Sequence, residues 1–378
     1  MDYSHLSRPA GFSPQQPMQP QQDILPEHYG QQVPDMFPAP GEQESDFTEI
    51  QTLMADGGDR FGVSTLSFDT QELLWMGNQG GHVTSYYSVQ MQKYTSFQVA
   101  PVENEIRQIV PYEQGVLSLT HNNLRGSIRR GLTLFDFNGP DMHDMQCAVL
   151  NSPTSVIIGG HQTKVLELDL NKVELKNSFE VPEPGCAIFR HSSKFICAGD
   201  TSGKVTLFDP KTLKAERVLE AHTGTLSDFD LQGNHLITCG YANRMNNLAI
   251  DRFLMVFDMR VMRAMAPIQV IIDPLFLRFL PTYSNTLALV SQTGQVQLID
   301  TTTVAPVMMY HMNTQGGGIL SFDVSSTCQA MACGDSNGYI HLLGSSNQAV
   351  FNSFSQPTEF ADPVSTGSLP MSLITNYD

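Results

Sequence analysis

The side chains best suited to do chemistry in this chain are arginines and a tyrosine in two enlarged segments between predicted strands. The segments are residues 121–131 and 241–252. Guanidinium and phenol groups in loops form ion pairs and hydrogen bonds with partner molecules, which favours docking over bond-breaking chemistry. The sequence therefore predicts a docking site whose candidate residues are Arg125, Arg129, Arg130, Tyr241, Arg244 and Arg252.

Sequence patterns of catalysis give no support for an enzyme. We expect no serine nucleophile on a Gly-x-Ser-x-Gly turn, and the 11 histidines are scattered along the chain. The phosphate-binding Gly-x-x-x-x-Gly-Lys loop and the Asp-x-Glu pair that often seats two metal ions do not occur. We therefore predict that this chain has no catalytic site, no metal site and no cofactor of its own.

The charge balance argues against direct binding of nucleic acid. The chain carries 38 acidic and 21 basic residues, a formal net charge of −17, which repels a phosphate backbone. Six cysteines lie in apolar strand-like runs without metal-ligand spacing, a pattern typical of buried thiols in an intracellular protein. The sequence has no apolar stretch of membrane-spanning length, and we expect neither a secretory signal nor a membrane partner.

One strand pattern recurs along the chain and must position the two segments. It is an alternating apolar run that closes on aspartate, found at residues 132–136, 165–169, 205–209, 255–258 and 296–300. Degenerate copies at residues 83–87 and 339–344 bracket these five runs. A repeat of about 40 residues with four short strands is typical of WD-repeat blades. The seven copies predict an all-β, seven-bladed WD-repeat β-propeller.

The ends of the repeat region predict how the ring closes. The last unit offers only three strand-like runs, and residues 47–54, which alternate in character before the first full unit, can supply the fourth. Pairing the two ends removes exposed sheet edges. We predict a disordered Pro/Gln-rich arm over residues 1–45, a propeller over 46–345 and the start of a flexible linker over 346–378.

The ring also predicts where the basic segments point. Equivalent loops of a propeller emerge on one side, so the two segments, read as loops between second and third strands, are expected to share one docking face. The alternative is that their charges are ordinary solvated loop residues, because most loops are polar without having a function.

Several stretches resemble one protein family more closely than they resemble propellers in general. They are Glu72-Leu73-Leu74-Trp75-Met76-Gly77-Asn78, Tyr94-Thr95-Ser96-Phe97, Ile106-Arg107-Gln108, Leu226-Ser227-Asp228-Phe229-Asp230, Cys239-Gly240-Tyr241 with Arg244, residues 251–260, Phe276-Leu277-Arg278-Phe279 and Phe322-Asp323-Val324. Over about residues 61–360 the chain resembles the amino-terminal WD-repeat propeller of the catalytic subunit of the poly(A)-nuclease (PAN) deadenylase, a poly(A)-specific ribonuclease.

The resemblance implies a non-catalytic scaffold. In that family the propeller contacts a regulatory pseudokinase-like subunit and helps to position the poly(A) ribonucleoprotein, with poly(A)-binding protein and the mRNA poly(A) tail as indirect partners. Family members continue through a linker and an inactive ubiquitin-hydrolase-like domain into a Mg²⁺-dependent 3′–5′ exonuclease. This chain would then be only the propeller of a cytoplasmic protein found in mRNA-processing bodies. The acidic balance fits a protein partner better than RNA.

Two other interpretations stay open. The first is an unrelated WD-repeat adaptor in another pathway, which would use the same ring with a different partner. The second is a hydrolase built on a propeller, which would need inward-pointing carboxylates or histidines at the strand starts. The sequence predicts no recurring cluster of that kind.

Overall fold

A computed structural model of the protein describes residues 47–56, 61–245, 247–280 and 285–344. Within these ranges the regular elements are β-strands, and they form seven separate antiparallel sheets. The prediction of an all-β, seven-bladed propeller is confirmed. The predicted arm (1–45) and linker (346–378) lie outside the described residues. The described part of the chain contains no helix long and apolar enough to span a membrane.

The first three blades follow one another along the chain after a single leading strand. In chain order, the strands are β1 (Thr48–Met54), β2 (Val63–Phe68), β3 (Leu74–Asn78), β4 (His82–Tyr87), β5 (Gln92–Gln98), β6 (Gln108–Tyr112), β7 (Gly115–Leu119), β8 (Leu124–Ile128), β9 (Thr133–Phe137), β10 (Met145–Ser152), β11 (Ser155–Gly160), β12 (Gln162–Asp169) and β13 (Glu174–Glu180). Blade 1 is β2 to β5, blade 2 is β6 to β9, and blade 3 is β10 to β13.

Blades 4 to 7 continue in the same way. Their strands are β14 (Ile188–His191), β15 (Ile196–Gly199), β16 (Lys204–Phe208), β17 (Ala215–Glu220), β18 (Leu226–Gln232), β19 (His235–Arg244), β20 (Asn247–Ile250), β21 (Phe253–Asp258), β22 (Arg263–Ala264), β23 (Ile268–Gln269), β24 (Pro274–Phe279), β25 (Thr286–Ser291), β26 (Gln295–Asp300), β27 (Ala305–His311), β28 (Ile319–Val324), β29 (Ala330–Asp335) and β30 (Tyr339–Gly344). Blade 5 is irregular because, among the described strands, β20 pairs with β19 alone and the outer strand of the blade is split into β22 and β23.

The ring is closed by contacts between first strands and by the two ends of the described chain. The first strands contact one another in the order β2, β6, β10, β14, β18, β24 and β28, and β28 returns to β2. In blade 7 the outermost strand is β1, which pairs antiparallel with β30 from Thr48 opposite Gly344 to Met54 opposite Tyr339. This is the pairing that the closing-strand argument predicts for residues 47–54.

Burial changes along each blade in a way that explains the sequence pattern. The second strands β3, β7, β11, β15 and β29 are buried along their whole length, because neighbouring blades cover both of their faces. Outer strands such as β13 are exposed at most positions. In the described residues, seven apolar clusters fill the spaces between neighbouring blades. Trp75 is fully buried between blades 1 and 2 and donates its indole N–H to Asp69 Oδ2 at 3.0 Å.

The assignment of the repeated strand is wrong in blade 2. Residues 133–136 belong to the outer strand β9 and residue 132 to the turn before it, and the third strand is β8. The apolar pattern missed β8 because that strand reads Leu-Arg-Gly-Ser-Ile, with a glycine and a serine in its second half and no closing aspartate. The glycine is required by packing, since a Cβ at Gly126 would lie 2.3 Å from the ring of Phe135. The unequal spacings on either side of residues 132–136 were the signal that a strand had been skipped.

Candidate functional site

The turns of the propeller open on two opposite faces. Because neighbouring strands of a blade are antiparallel, turns after second strands open on one face, and turns after first and third strands open on the other. We call the first the upper face, defined by the described residues 79–81, 120–123, 200–203, 245, 247–252, 292–294 and 336–338. We call the second the lower face, defined by residues 69–73, 113–114, 129–132, 153–154 and 209–214.

The predicted basic residues do not share one face. Arg129 and Arg130 lie in the turn from β8 to β9 on the lower face, whereas Arg244 and Arg252 lie on the upper face. The prediction of a single docking face is therefore wrong for the first pair. Its physical reason is the missed strand, because residues 121–131 are an upper turn, the whole of β8 and a lower turn rather than one long loop.

Arg129 joins blade 2 to blade 1. Its Nη2 lies 3.1 Å from Asp69 Oδ2, and its Nη1 donates to Gln71 Oε1. Asp69 is buried and also accepts hydrogen bonds from the backbone N–H groups of Gln71 and Leu73. The guanidinium of Arg129 is thus engaged within the propeller.

Arg125 bridges the two outermost strands of its blade. It lies on β8 opposite Asp136 of β9, and its Nε donates to Asp136 Oδ1 at 2.8 Å. Burial raises the pKa of Asp136, but the hydrogen bonds from Arg125 and Asn123 outweigh burial and hold that pKa below its usual value. The pair stabilises the edge of blade 2.

A cavity of about 890 Å³ opens on the lower face among blades 1 to 3. Apolar side chains of Pro111, Tyr112, Ile128, Leu150 and Pro153 line it together with Arg129 and Arg130. The Tyr112 hydroxyl is buried without a hydrogen-bond partner in the described residues, and burial raises the pKa of that phenol. Arg129 and Arg130 therefore line a cavity on the lower face rather than a loop on the upper face.

A β-hairpin of blade 5 projects from the upper face. The second half of β19 leaves the sheet and pairs with β20, from Tyr241 opposite Ile250 to Arg244 opposite Asn247. Met245 at its tip is 99% exposed, and Leu248 and Arg244 are also exposed. At the base of the hairpin, Arg252 is exposed and donates to Asp273 Oδ1 at 2.6 Å.

The channel at the centre of the ring holds a network of charges that sequence reasoning missed. Asp228 on β18 is only 3% exposed at its side chain and accepts a hydrogen bond from Arg190 Nη2 of β14 at 2.8 Å. Arg278 Nη1 of β24 donates to the other oxygen of the same carboxylate. The Arg190 guanidinium also lies 5.9 Å from the ring centre of Phe229, within range of a cation–π contact. One carboxylate thus joins blades 4, 5 and 6.

Two further aspartates fasten neighbouring blades through the backbone. Asp230 Oδ2 accepts a hydrogen bond from the backbone N–H of Phe279 at 2.8 Å, and Asp323 Oδ2 accepts one from Phe68 at 2.8 Å. Burial raises the pKa of both carboxyls, and the nearby arginines offset that rise only in part. For Arg278, burial lowers the pKa, but the three aspartates outweigh burial and raise it.

The sequence predicts no recurring cluster of inward-pointing carboxylates at the strand starts, but Asp228, Asp230 and Asp323 line the channel. The signal was present, because Asp228, Asp230, Arg278 and Asp323 are all in the stretches that carry the family resemblance. Strand periodicity does not separate a channel-facing aspartate from a solvated one, since both alternate with apolar residues. The carboxylates are occupied by arginines and backbone N–H groups, and the described residues contain no group of three or more His, Cys, Asp or Glu arranged to hold a metal.

The pattern Gly-x-Ser-x-Gly does occur once, at residues 334–338, contrary to expectation. It is the upper turn between β29 and β30, and not the strand-to-helix turn of a nucleophile elbow. Ser336 Oγ accepts a hydrogen bond from the backbone N–H of Gly318, while the nearby His341 contacts Glu49 and Asp335. Ser336 and His341 thus form hydrogen bonds to other residues of blade 7 and of the loop before it. They do not form the serine–histidine pair of a hydrolase.

Comparison with known proteins identifies close relatives over the propeller. A family model described as the PAN2 N-terminal region matches residues 43–344. The catalytic subunit PAN2 of the PAN2–PAN3 deadenylation complex is 45% identical to this chain in Gallus gallus and 43% identical in Homo sapiens, over 86% of this chain in each case. The chain spans only 27% of the length of these relatives. The solved structure of the Neurospora crassa Pan2 WD40 domain has a TM-score of 0.75 at 26% identity, covering 82% of this chain and 99% of that one.

Proposed function

Because the chain belongs to the family of PAN2 amino-terminal regions, we propose that it is the non-catalytic propeller of a deadenylase catalytic subunit and docks a second subunit of the complex. Its relatives are named as parts of a PAN2–PAN3 complex, so a PAN3-type subunit is the partner proposed here, with the pseudokinase-like character that the family resemblance implies. We further propose a cytoplasmic location, including mRNA-processing bodies, and only indirect contact with poly(A)-binding protein and the poly(A) tail.

The hairpin of blade 5 is the observation that best supports docking by this chain. Met245 at the tip is 99% exposed and Leu248 on the same hairpin is 57% exposed, so the hairpin offers apolar area for a partner to bury. The exposed Arg244 lies beside that tip and the exposed Arg252 lies at the base of the hairpin, and both guanidinium groups supply charge-assisted hydrogen bonds. We assign the partner-docking surface to this hairpin, with Tyr241 at its base. Arg125 forms an ion pair between two strands of blade 2, and Arg129 forms one between blades 2 and 1. Arg130 lies on the lower face, away from the hairpin.

Reversing both hairpin charges, with Arg244→Glu and Arg252→Glu together, is expected to weaken binding of a PAN3 subunit about tenfold, because two interface charges become repulsive. Isothermal titration calorimetry with the purified subunit measures the change. The matched control reverses Lys211 and Lys214, two exposed lysines on the lower face, and is expected to leave the affinity unchanged. Equal affinities for the two double variants would remove the hairpin from the interface.

The isolated chain is expected to leave an oligo(A) substrate intact in the presence of Mg²⁺, because the proposed exonuclease activity belongs to a separate domain of the family. Denaturing gel electrophoresis of labelled oligo(A) checks this outcome, with a full-length relative of the family as the active control. Shortening by this chain at a rate near that of the control would assign the activity to the propeller and overturn the non-catalytic proposal.

A further inference from the structure

The outer strand of blade 6, β27, differs from the outer strands of the other blades. Exposed outer strands present unpaired backbone groups, and proteins commonly protect them with charged side chains. Each of the other outer strands carries at least one charged residue: Glu49, Lys93, Asp136, Glu174, Glu216 and Arg263. By contrast, β27 reads Ala-Pro-Val-Met-Met-Tyr-His and contains no Asp, Glu, Lys or Arg.

The side chains of β27 are apolar on both of its faces. Met308 and Tyr310 pack against the cluster between blades 6 and 7. Met309 points to the opposite side, because alternate residues of a regular strand face opposite ways, and it is 47% exposed. Val307, at the register shift, is 53% exposed. The preceding Val304 is exposed as well. An extended apolar surface of this kind is unusual on a solvated edge.

The backbone of β27 is open on its outer side. Within the described residues its strand partner is β26 alone, paired from Gln295 opposite His311 to Leu298 opposite Met308. A register shift follows, because Ile299 pairs with Pro306 and Val307 has no pairing partner on β26, and Pro306 has no N–H to donate. The edge therefore consists of the regularly paired residues 308–311 and the irregular residue 307, long enough to pair with one short extended segment.

We propose that β27 accepts an extended peptide segment of a partner protein as a fifth strand of blade 6. The segment carries apolar residues at alternate positions, which cover Val307 and Met309. It is basic or neutral, because the chain has a formal net charge of −17 and β27 offers no cation to an acidic segment. The same net charge disfavours a second copy of this chain as the occupant.

The test uses a fluorescent synthetic peptide, Lys-Val-Thr-Val-Thr-Val-Thr-Lys, titrated into the full chain and followed by fluorescence anisotropy. Saturable binding is expected, with slower hydrogen exchange at those backbone N–H groups of residues 307–311 that face away from β26. A peptide with proline in place of its central valine is expected to lose binding, because proline removes a donor and restricts the strand.

The variant Met309→Lys places a charge on the exposed side of β27 and is expected to weaken peptide binding at least tenfold. Val307→Lys is the second variant, and thermal unfolding of both confirms that the blade is intact. Leu175→Lys on β13, also an exposed apolar position of an outer strand, is the matched control and is expected to bind as the unmodified chain does.

Three results would overturn the proposal. The first is that the valine–threonine peptide does not bind, and the second is that Met309→Lys and Leu175→Lys bind it equally well. The third is that the peptide slows hydrogen exchange elsewhere in the chain but not within residues 307–311. A fourth result, self-association of the unmodified chain that Met309→Lys abolishes in sedimentation velocity, would assign the edge to a second copy and equally overturn the peptide proposal.

Discussion

Replacing Asp228 with alanine is expected to lower the free energy of unfolding by about 3–5 kcal/mol. The Asp228 carboxylate accepts hydrogen bonds from Arg190 and Arg278 and from the backbone N–H of Leu277 at 3.2 Å. Removing it leaves two arginines side by side in the channel without their shared counter-charge. Breaking a buried ion pair by removing one partner is among the most destabilising single substitutions, because the remaining charge stays desolvated.

Urea denaturation followed by fluorescence of the single tryptophan, Trp75, measures this change, since that side chain is fully buried in the folded ring. The matched control is Glu216→Ala on β17, which removes an exposed carboxylate and is expected to change the free energy of unfolding by less than about 0.5 kcal/mol. An Asp228→Ala protein as stable as the control would show that the channel network contributes little to the fold.

Stability is expected to depend on pH through His341, which joins β30 to the closing strand. Its Nδ1 lies 2.7 Å from Glu49 Oε1 of β1 and its Nε2 lies 3.3 Å from Asp335 Oδ2, with the ring almost fully buried. Burial lowers the pKa of His341, but the two carboxylates outweigh burial and raise it from 6.5 to about 9. A raised folded-state pKa stabilises the fold fully below the unfolded value of 6.5, and this stabilisation is lost as pH rises through about 9.

The variant His341→Gln isolates this contribution. At pH 6 the free energy of unfolding of the variant is expected to be about 3 kcal/mol lower than that of the unmodified chain, the order of magnitude given by that pKa change. The difference between the two proteins is expected to shrink as pH rises from 7 to 10. The exposed His235 provides the control, since His235→Gln lacks this partner set. A difference between His341→Gln and the unmodified chain that is constant with pH would contradict a charged His341.

The fold was predictable because most third strands have an alternating apolar sequence that closes on aspartate. Residues 205–209 alternate and close on aspartate, and the structure has β16 over Lys204–Phe208. Blade 2 was not predictable in this way, because the ring of Phe135 packs where Gly126 lacks a side chain and β8 loses its apolar alternation. Because β8 was overlooked, Arg129 and Arg130 were predicted to lie on the upper face, whereas they lie on the lower face.

The channel network could not be predicted from spacing along the chain. Asp228 lies 38 residues from Arg190 and 50 residues from Arg278, and only the stacking of blades brings the three together. Local sequence reports which residues are apolar and which turns are tight, but not which strand starts meet around an axis. The same limit applies to β27, whose lack of charge is visible in the sequence but whose open edge is a property of the assembled sheet.

The pairing of β1 with β30 sets an order of events during synthesis. A ribosome adds about 5–20 residues per second, so β1 leaves the exit tunnel tens of seconds before its partner exists. Throughout that interval β1 has no strand to pair with, because its partner in the described structure is β30. A stall of synthesis before residue 339 would leave blades 1 to 6 made but the ring open, because β30 would be missing.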